Sequence, residues 1–240
     1  MSKWLCVALA TAASVGAGSV ALAQEDGAPV LRDAGVYLRA GGGVSFAQDL
    51  EQDNAYNPDY LYIVTPADTR TTSLGDGVSV SAAIGFQYPG RTRTELEYRY
   101  LEAGVDGVVE DGGFDPASLT VWPVTVPAAD TAAVHALMSN VYVDFVPGGR
   151  VSPYIGVGVG GARVENALGE RDAAFAYQGR AGFDFALGAG VTIGAEYVYF
   201  RTVDVVYGPK EFEPGGPAGP RVDGAPFVSS SAMATIRKSF

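Results

Sequence analysis

The chain ends in the stretch Ser229-Ser230-Ser231-Ala232-Met233-Ala234-Thr235-Ile236-Arg237-Lys238-Ser239-Phe240, in which apolar and polar side chains alternate. This period of two predicts a β-strand with one apolar face, one polar face and a terminal aromatic residue. At the other end, Lys3 precedes an apolar run from Trp4 to Val20, and Ala21-Leu22-Ala23 fits the cleavage rule of an export signal. An exported chain that finishes in such a strand is predicted to be an outer-membrane β-barrel.

The export signal also divides the chain. We expect residues 1–23 to be a signal peptide cleaved after Ala23, and residues 24–240 to form one barrel domain in the cell outer membrane. Cys6, the only cysteine, lies in the signal, so the mature chain would offer no disulfide, zinc–thiolate site or cysteine nucleophile. The formal net charge of -11 argues against a nucleic-acid partner. We predict no cofactor.

Alternating runs recur along the rest of the sequence, and no apolar segment after the signal reaches the about 18 residues of a spanning helix. We predict eight strands, at about 35–46, 77–88, 93–102, 132–146, 151–164, 174–186, 190–201 and 227–240. Short turns rich in Gly and Pro alternate with long connections, at about 47–76, 103–131, 165–173 and 202–226. This pattern predicts an all-β, eight-stranded antiparallel up-and-down transmembrane barrel with short periplasmic turns and long extracellular loops. The alternative is a soluble sandwich or lipocalin-like barrel with its faces exchanged, whose core would be poorly filled by the Gly and Tyr of the apolar set.

Three of these runs carry a resemblance to a known family. Val151-Ser152-Pro153-Tyr154-Ile155-Gly156-Val157-Gly158-Val159-Gly160-Gly161-Ala162 resembles the fifth strand of small outer-membrane barrels of the OmpA/OmpX type, in particular their alphaproteobacterial surface-antigen branch. The segments 37–46 and 140–145 are similar to the first and fourth strands of that family. The resemblance implies that the barrel-assembly machinery recognises Ile236 and Phe240, although Lys238 stands where the family's terminal signal usually has an aromatic residue.

The polar parity of the strands places charged side chains inside the predicted barrel: Arg39, Glu95, Glu97, Arg99, Asp144, Arg180, Asp184, Glu196 and Arg237. An eight-stranded barrel is just wide enough for side chains to fill it. Buried charges must pair, so a nearly balanced set favours a lumen that is polar, plugged by ion pairs, and closed or only feebly conducting. The alternative is a gated ion path, which would make the chain a small porin for ions or small solutes.

Catalysis is the other function that we weigh. His135, the only histidine, lies near the outer end of the fourth predicted strand, where some lipid-modifying outer-membrane barrels carry a His-Ser pair. Here Leu137 is two residues on, and Ser139 lies four residues on, roughly 13 Å along a strand. We therefore predict no enzyme activity and assign no catalytic residue.

The first two long loops, 47–76 and 103–131, combine acidic and aromatic residues. Asp49-x-Glu51-x-Asp53 offers oxygens to a divalent cation, but it lacks the glycine and final glutamate of an EF-hand, so no metal site is assigned. The aromatic residues would either contact host or neighbouring surface molecules or pack together over the barrel. We expect a structural barrel for envelope integrity and surface contact, adhesin- or antigen-like, with outer-membrane lipid and lipopolysaccharide as further partners.

Overall fold

In a computed structural model, residues 34–55, 69–115, 120–208 and 221–240 are described. The predicted signal peptide and the central parts of three predicted loops therefore lie outside the described residues. None of the described residues forms a helix that could cross a membrane. The strands are β1 Gly35–Ala47, β2 Leu50–Ala55, β3 Thr69–Gln87, β4 Thr92–Asp115, β5 Thr120–Val126, β6 Thr131–Asp144, β7 Val151–Glu165, β8 Arg171–Gly188, β9 Val191–Tyr207 and β10 Arg221–Ser239.

Eight of these strands close into a ring. Antiparallel pairing runs in the order β1-β3-β4-β6-β7-β8-β9-β10, and β10 pairs back onto β1. A walk along register partners from Thr202 passes once around the wall and returns to β9 at Thr192, ten residues nearer the periplasmic end. This stagger tilts the strands by about 40° to the barrel axis. The predicted eight-stranded antiparallel barrel is confirmed.

The other two strands extend the wall outwards. β2 pairs with β10 and β3, the same neighbours as β1, and so continues β1 beyond Gln48. β5 pairs with the outer part of β4, the strand that also pairs with β6, and so extends the position of β6 outwards. Strand structure thus occupies much of the predicted loops 47–76, 103–131 and 202–226, and our loop bounds were wrong there. Strands continue to pair there because pairing satisfies the backbone N–H and C=O groups, even where apolar and polar side chains no longer alternate in the sequence.

The third outer connection is also shorter than we predicted. It consists of residues 166–170 only, because the side chain of Asn166 organises a tight turn. Its Oδ1 accepts hydrogen bonds from the backbone N–H of Leu168 and Glu170, at 3.0 and 2.9 Å. Its Nδ2 donates to the Glu170 carboxylate at 2.8 Å. A single asparagine therefore replaces the predicted long loop 165–173 with a local side-chain motif.

The periplasmic turns are short, as predicted, and depend on left-handed backbone. Gly90 and Gly148 have φ of 106° and 78°. The β8–β9 turn places Gly188, Ala189 and Gly190 in succession at φ of 97°, 50° and 72°, so its alanine adopts a conformation that costs little only for glycine.

The outward side chains form an apolar belt. Large apolar residues that are about half exposed cover the outside of the wall, among them Leu38, Val80, Ile84, Leu96, Leu137, Ile155, Val157, Phe175, Phe183, Ile193 and Ile236. Phe46, Tyr88, Phe145 and Phe240 lie near the ends of the belt. An outside covered in this way is stable in lipid and not in water, so the faces are those of a membrane barrel.

Candidate functional site: the filled lumen

A layer of charged side chains fills the inner half of the lumen. All nine charged residues that the sequence placed inside are buried there, at 5% exposure or less. A tenth, Arg93, is completely buried and escaped the prediction because our third run began at that residue. Its odd parity, shared with Glu95 and Glu97, was the signal that could have found it. With Arg93 the layer holds five guanidinium groups and five carboxylates, so its formal charges cancel.

Arg180, on β8, joins two carboxylates at the centre of this layer. Its guanidinium donates to Glu97 on β4 and to both carboxylate oxygens of Glu196 on β9. Asn140 and Gln178 also donate to the Glu97 carboxylate, each at 2.8 Å. Every guanidinium nitrogen of Arg180 and both oxygens of Glu196 are hydrogen-bonded in this arrangement, whereas Oε1 of Glu97 has no hydrogen-bond partner and lies 3.5 Å from Arg99 Nε.

Arg39 links the centre to a second carboxylate. Its guanidinium lies 2.6 Å from the carboxylate of Glu196 and 3.5 Å from that of Glu95. The Glu95 oxygens in turn accept hydrogen bonds from the hydroxyls of Tyr37 and Tyr142, at 2.9 and 2.7 Å. Tyrosine hydroxyls thus complete the shell of a buried carboxylate whose two arginine contacts, with Arg39 and Arg93, are long, at 3.5 and 3.6 Å.

Arg93 is held by aromatic rings as well as by carboxylates. Its guanidinium carbon lies 4.4 and 4.5 Å from the ring centroids of Tyr142 and Tyr154, a cation–π arrangement with both. Its Nε lies 3.2 Å from Asp144 and its Nη2 lies 3.7 Å from Asp184. Arg237 ends the network near the periplasmic mouth, with Nη2 at 3.0 Å from Asp184. These contacts tie strands β4, β6, β7, β8 and β10 together across the lumen.

Arg99 has the weakest carboxylate contact of the charged layer and lies at its outer edge. Its Nε is 3.5 Å from Glu97, and its Nη2 donates to the sulfur of Met233 at 3.3 Å. Nε and Nη1 lack hydrogen-bond partners although the side chain is completely buried. The layer therefore has one weakly compensated cation, next to apolar neighbours.

Beyond Arg99 the lumen is filled mainly by apolar side chains. A packed cluster of buried side chains lies there: Leu50, Leu74, Leu101, Ala103, Ala132, Val134, Ala136, Met138, Ala162, Val164, Ala176, Phe200, Val205, Tyr207, Val222, Ala225 and Phe227. The rings of Phe200 and Phe227 meet edge to face, with centroids 6.4 Å apart. Our expectation of a polar lumen is thus wrong for this half. The inward-facing residues beyond Arg99 are mainly apolar, whereas our prediction of a polar lumen rested on the charged inward residues alone.

Comparison with known proteins assigns the family. A protein-family model described as a surface antigen matches residues 78–212, more than half of the chain. The chain belongs to this surface antigen family. The matched segment runs from β3 into the region after β9, and so includes most residues of both lumen layers.

The relatives of this surface antigen barrel are uncharacterized. Proteins of Brucella abortus and Brucella suis are 27% identical over 140 residues, which are 55% of this chain and 49% of theirs. The chain thus spans about half the length of the curated relatives it matches. Among solved structures, Neisserial surface protein A superposes with a TM-score of 0.51 at 15% identity, over 87% of this chain and 100% of that one. The outer membrane protein OprG of Pseudomonas aeruginosa superposes at 0.54 and 14% identity, over 84% and 95%. Family, fold and outward belt place the surface antigen barrel in the outer membrane.

A second polar cluster, at the outer mouth of the surface antigen barrel, was missed by the sequence reasoning. Arg70 on β3 is buried and binds Glu110 and Glu170 at 2.9 Å each. Tyr207 lies in the same region, and burial together with the carboxylates of Asp172 and Glu170 raises the pKa of its hydroxyl. We had assigned residue 70 to a loop, where parity carries no information.

The remaining residues singled out by sequence lie outside the lumen. The Nδ1 of His135 lies 2.7 Å from the Tyr98 hydroxyl on the outer surface, and its ring stands 5.1 Å from that of Tyr100. Asp49 accepts a hydrogen bond from the backbone N–H of Leu74 at 2.8 Å. Within the described ranges, no three His, Cys, Asp or Glu side chains converge as metal ligands would.

Proposed function

We propose that this surface antigen barrel is a structural, non-conducting element of the outer membrane. It contributes to envelope integrity and presents its outer end to host or neighbouring surface molecules. In this proposal it passes no solute and performs no catalysis.

The observation that carries the proposal is the filling of the lumen by two layers in series. Passage through the inner layer would require separation of pairs such as Arg180–Glu97, and removal of one member of a buried pair costs about 3–5 kcal/mol. Passage through the outer layer would require a path between packed side chains such as Phe200 and Phe227. Each layer alone opposes ion flow. The inner charged layer does so because its charges are paired, and the outer apolar layer does so because it excludes water.

The contact role is supported by the outer extension of the wall. β2 and β5 carry strand pairing beyond the belt, and thereby form a base of paired strands at the outer end of the described wall. Exposed carboxylates such as Glu51, Asp106 and Asp111 make this base acidic. An acidic, rigid platform favours partners that carry positive charge.

The decisive experiment is the conductance of the purified protein in a planar lipid bilayer. We expect no open steps, with insertion verified by the shift in gel mobility between unheated and heated samples. A known porin added to the same bilayer serves as the positive control. Reproducible steps from the inserted protein would overturn the proposal and favour the small porin.

The envelope and contact roles can be separated in cells. A deletion strain is expected to become more sensitive to detergent, and the wild-type chain should restore its resistance. A variant in which residues 56–68 are replaced by a short glycine–serine linker should restore detergent resistance equally, yet lose adherence to surfaces or cells. A variant that keeps full adherence would contradict a contact role for this loop.

A further inference from the structure

The outer rim of the lipid-facing belt changes charge from one half of the barrel to the other. On β6, β7, β8 and β9 the outward side chains are uncharged up to the outer rim, and the first residue on each, tyrosine apart, that can carry a charge is basic: His135, Arg163, Arg171 and Arg201. On β3 and β4 the corresponding first residues are acidic, Asp76 and Glu102. In a chain with a net charge of -11, the first basic groups at the outer rim of the belt therefore lie together on one arc.

The depth of this arc matches the outer headgroup region. Arg163 lies twelve residues above Val151, the first outward residue of β7. At about 3.3 Å per residue and a tilt of about 40°, this is roughly 30 Å along the barrel axis. The apolar band of such barrels is about 25 Å tall, so the guanidinium of Arg163 stands just outside the hydrocarbon of the outer leaflet.

Two of the four basic groups form no ion pair or hydrogen bond within the described part of the protein, although the charge of Arg163 also acts on the nearby Glu165 carboxylate. Arg171 forms a bidentate ion pair with Glu165, in which its Nε and Nη2 donate to the two carboxylate oxygens at 2.6 and 2.9 Å. Its hydrogen bonds lower the pKa of that carboxyl, which lies above the belt. Arg163 and Arg201 form neither an ion pair nor a hydrogen bond with any described residue, although both face outwards at the membrane boundary.

The arrangement of these groups fits a headgroup with two phosphates. His135 is the register partner of Arg163, about 5 Å away across the strand pair. Arg201 lies two strands further on, and its register row meets β7 at Val159, four residues from Arg163. Two strand spacings and four residues place the two arginines about 16 Å apart along the wall, within the combined reach of their side chains and an intervening headgroup. Between them, Val159, Phe175 and Tyr177 expose apolar surface to the acyl chains.

We propose that Arg163, Arg201 and His135 form a binding site for a phosphorylated glycolipid of the outer leaflet, with one phosphate near Arg163 and His135 and the other near Arg201. Guanidinium groups bind phosphate oxygens through paired, charge-assisted hydrogen bonds. Pairing with an acidic rim of a second copy is less favoured, because the Glu102 carboxylate already accepts a hydrogen bond from Tyr100 at 2.6 Å.

The test is a titration of the purified full chain in detergent with bisphosphorylated lipid A, followed by native mass spectrometry. The variant Arg163→Gln/Arg201→Gln should bind this lipid at least about tenfold more weakly than wild type. The matched control is Arg91→Gln/Arg150→Gln, which removes two exposed arginines at the periplasmic turns and should bind as wild type. Arg163→Lys/Arg201→Lys should recover most of the affinity.

Several outcomes would overturn the site. Equal affinity of wild type and the Gln pair, or equal weakening in the periplasmic control, would show that these arginines are not specific ligands. Displacement of the lipid by equimolar inorganic phosphate would assign the site to free phosphate, and loss of a dimer instead of lipid would assign it to a second copy. Should the double variant not fold, the two single variants carry the same test. A conducting barrel that still binds lipid A would overturn our proposed function and leave this site intact.

Discussion

The weak compensation of Arg99 leads to an asymmetric prediction about Glu97, the only carboxylate within ion-pair distance of Arg99 among the described residues. Glu97→Leu removes an acceptor of three hydrogen bonds, from Asn140, Gln178 and Arg180. Arg180 retains Glu196, but Arg99 would keep only its contact with the sulfur of Met233 and become a buried cation with no carboxylate within ion-pair distance. Breaking a buried pair in this way costs about 3–5 kcal/mol, and we expect that loss in the free energy of unfolding.

The reverse change should cost far less. Arg99→Leu leaves Glu97 with its three donors, and it replaces a guanidinium that has two unsatisfied nitrogens by a side chain suited to the apolar layer. We expect a loss of about 1 kcal/mol or less, since a buried ion pair can be replaced by apolar groups at little cost. The double variant Glu97→Leu/Arg99→Leu removes the orphaned cation and should be about 2 kcal/mol more stable than Glu97→Leu alone.

The assay is urea unfolding in lipid vesicles, with the folded fraction measured from gel mobility without heating. Glu51→Leu, at an exposed position of the outer extension, is the matched control and should leave the midpoint unchanged. Equal destabilisation by Glu97→Leu and Arg99→Leu would refute the asymmetry. A double variant less stable than Glu97→Leu would refute the claim that the orphaned charge is the source of the cost.

Three further predictions use the same measurement of stability. Phe200→Ala should cost about 3–5 kcal/mol because it leaves a cavity in the outer apolar layer. Phe175→Ala should cost much less, because Phe175 is 53% exposed on the outward surface and lipid fills the space that its ring leaves. Asn166→Ala should lower the free energy of unfolding by about 1–2 kcal/mol and open the 166–170 turn to protease. Asn166→Asp keeps the acceptor oxygen and should be cleaved more slowly than Asn166→Ala. Equal cleavage of the two variants would contradict the role of Oδ1. Ala189→Gly should stabilise the protein by about 0.5 kcal/mol because φ is 50° there, and a decrease in stability would contradict a strained turn.

The sequence was sufficient for the strands, their faces and the membrane setting. Side chains alternate strictly in a strand, so the parity of Arg39, Glu97 or Arg180 assigns each to one face regardless of its neighbours in space. Gly90, Gly148 and Gly190 mark turns through backbone freedom, which is also a local property. Local rules failed where a side chain made the turn, at Asn166, and where pairing continued beyond the alternation, in β2 and β5.

Partners across the barrel were decided only by the tertiary structure. The sequence places Glu97, Arg180 and Glu196 on the inward parity of their strands, but the ten-residue stagger of the closed wall sets which of them share a level. The same stagger brings Arg163 and Arg201 to one depth on either side of β8, although 38 positions of chain separate them. Alternation is a property of one strand, whereas register and stagger are properties of the closed ring. The sequence by itself therefore determined which residues face the lumen and the lipid, and the closure of the wall determined which of them meet.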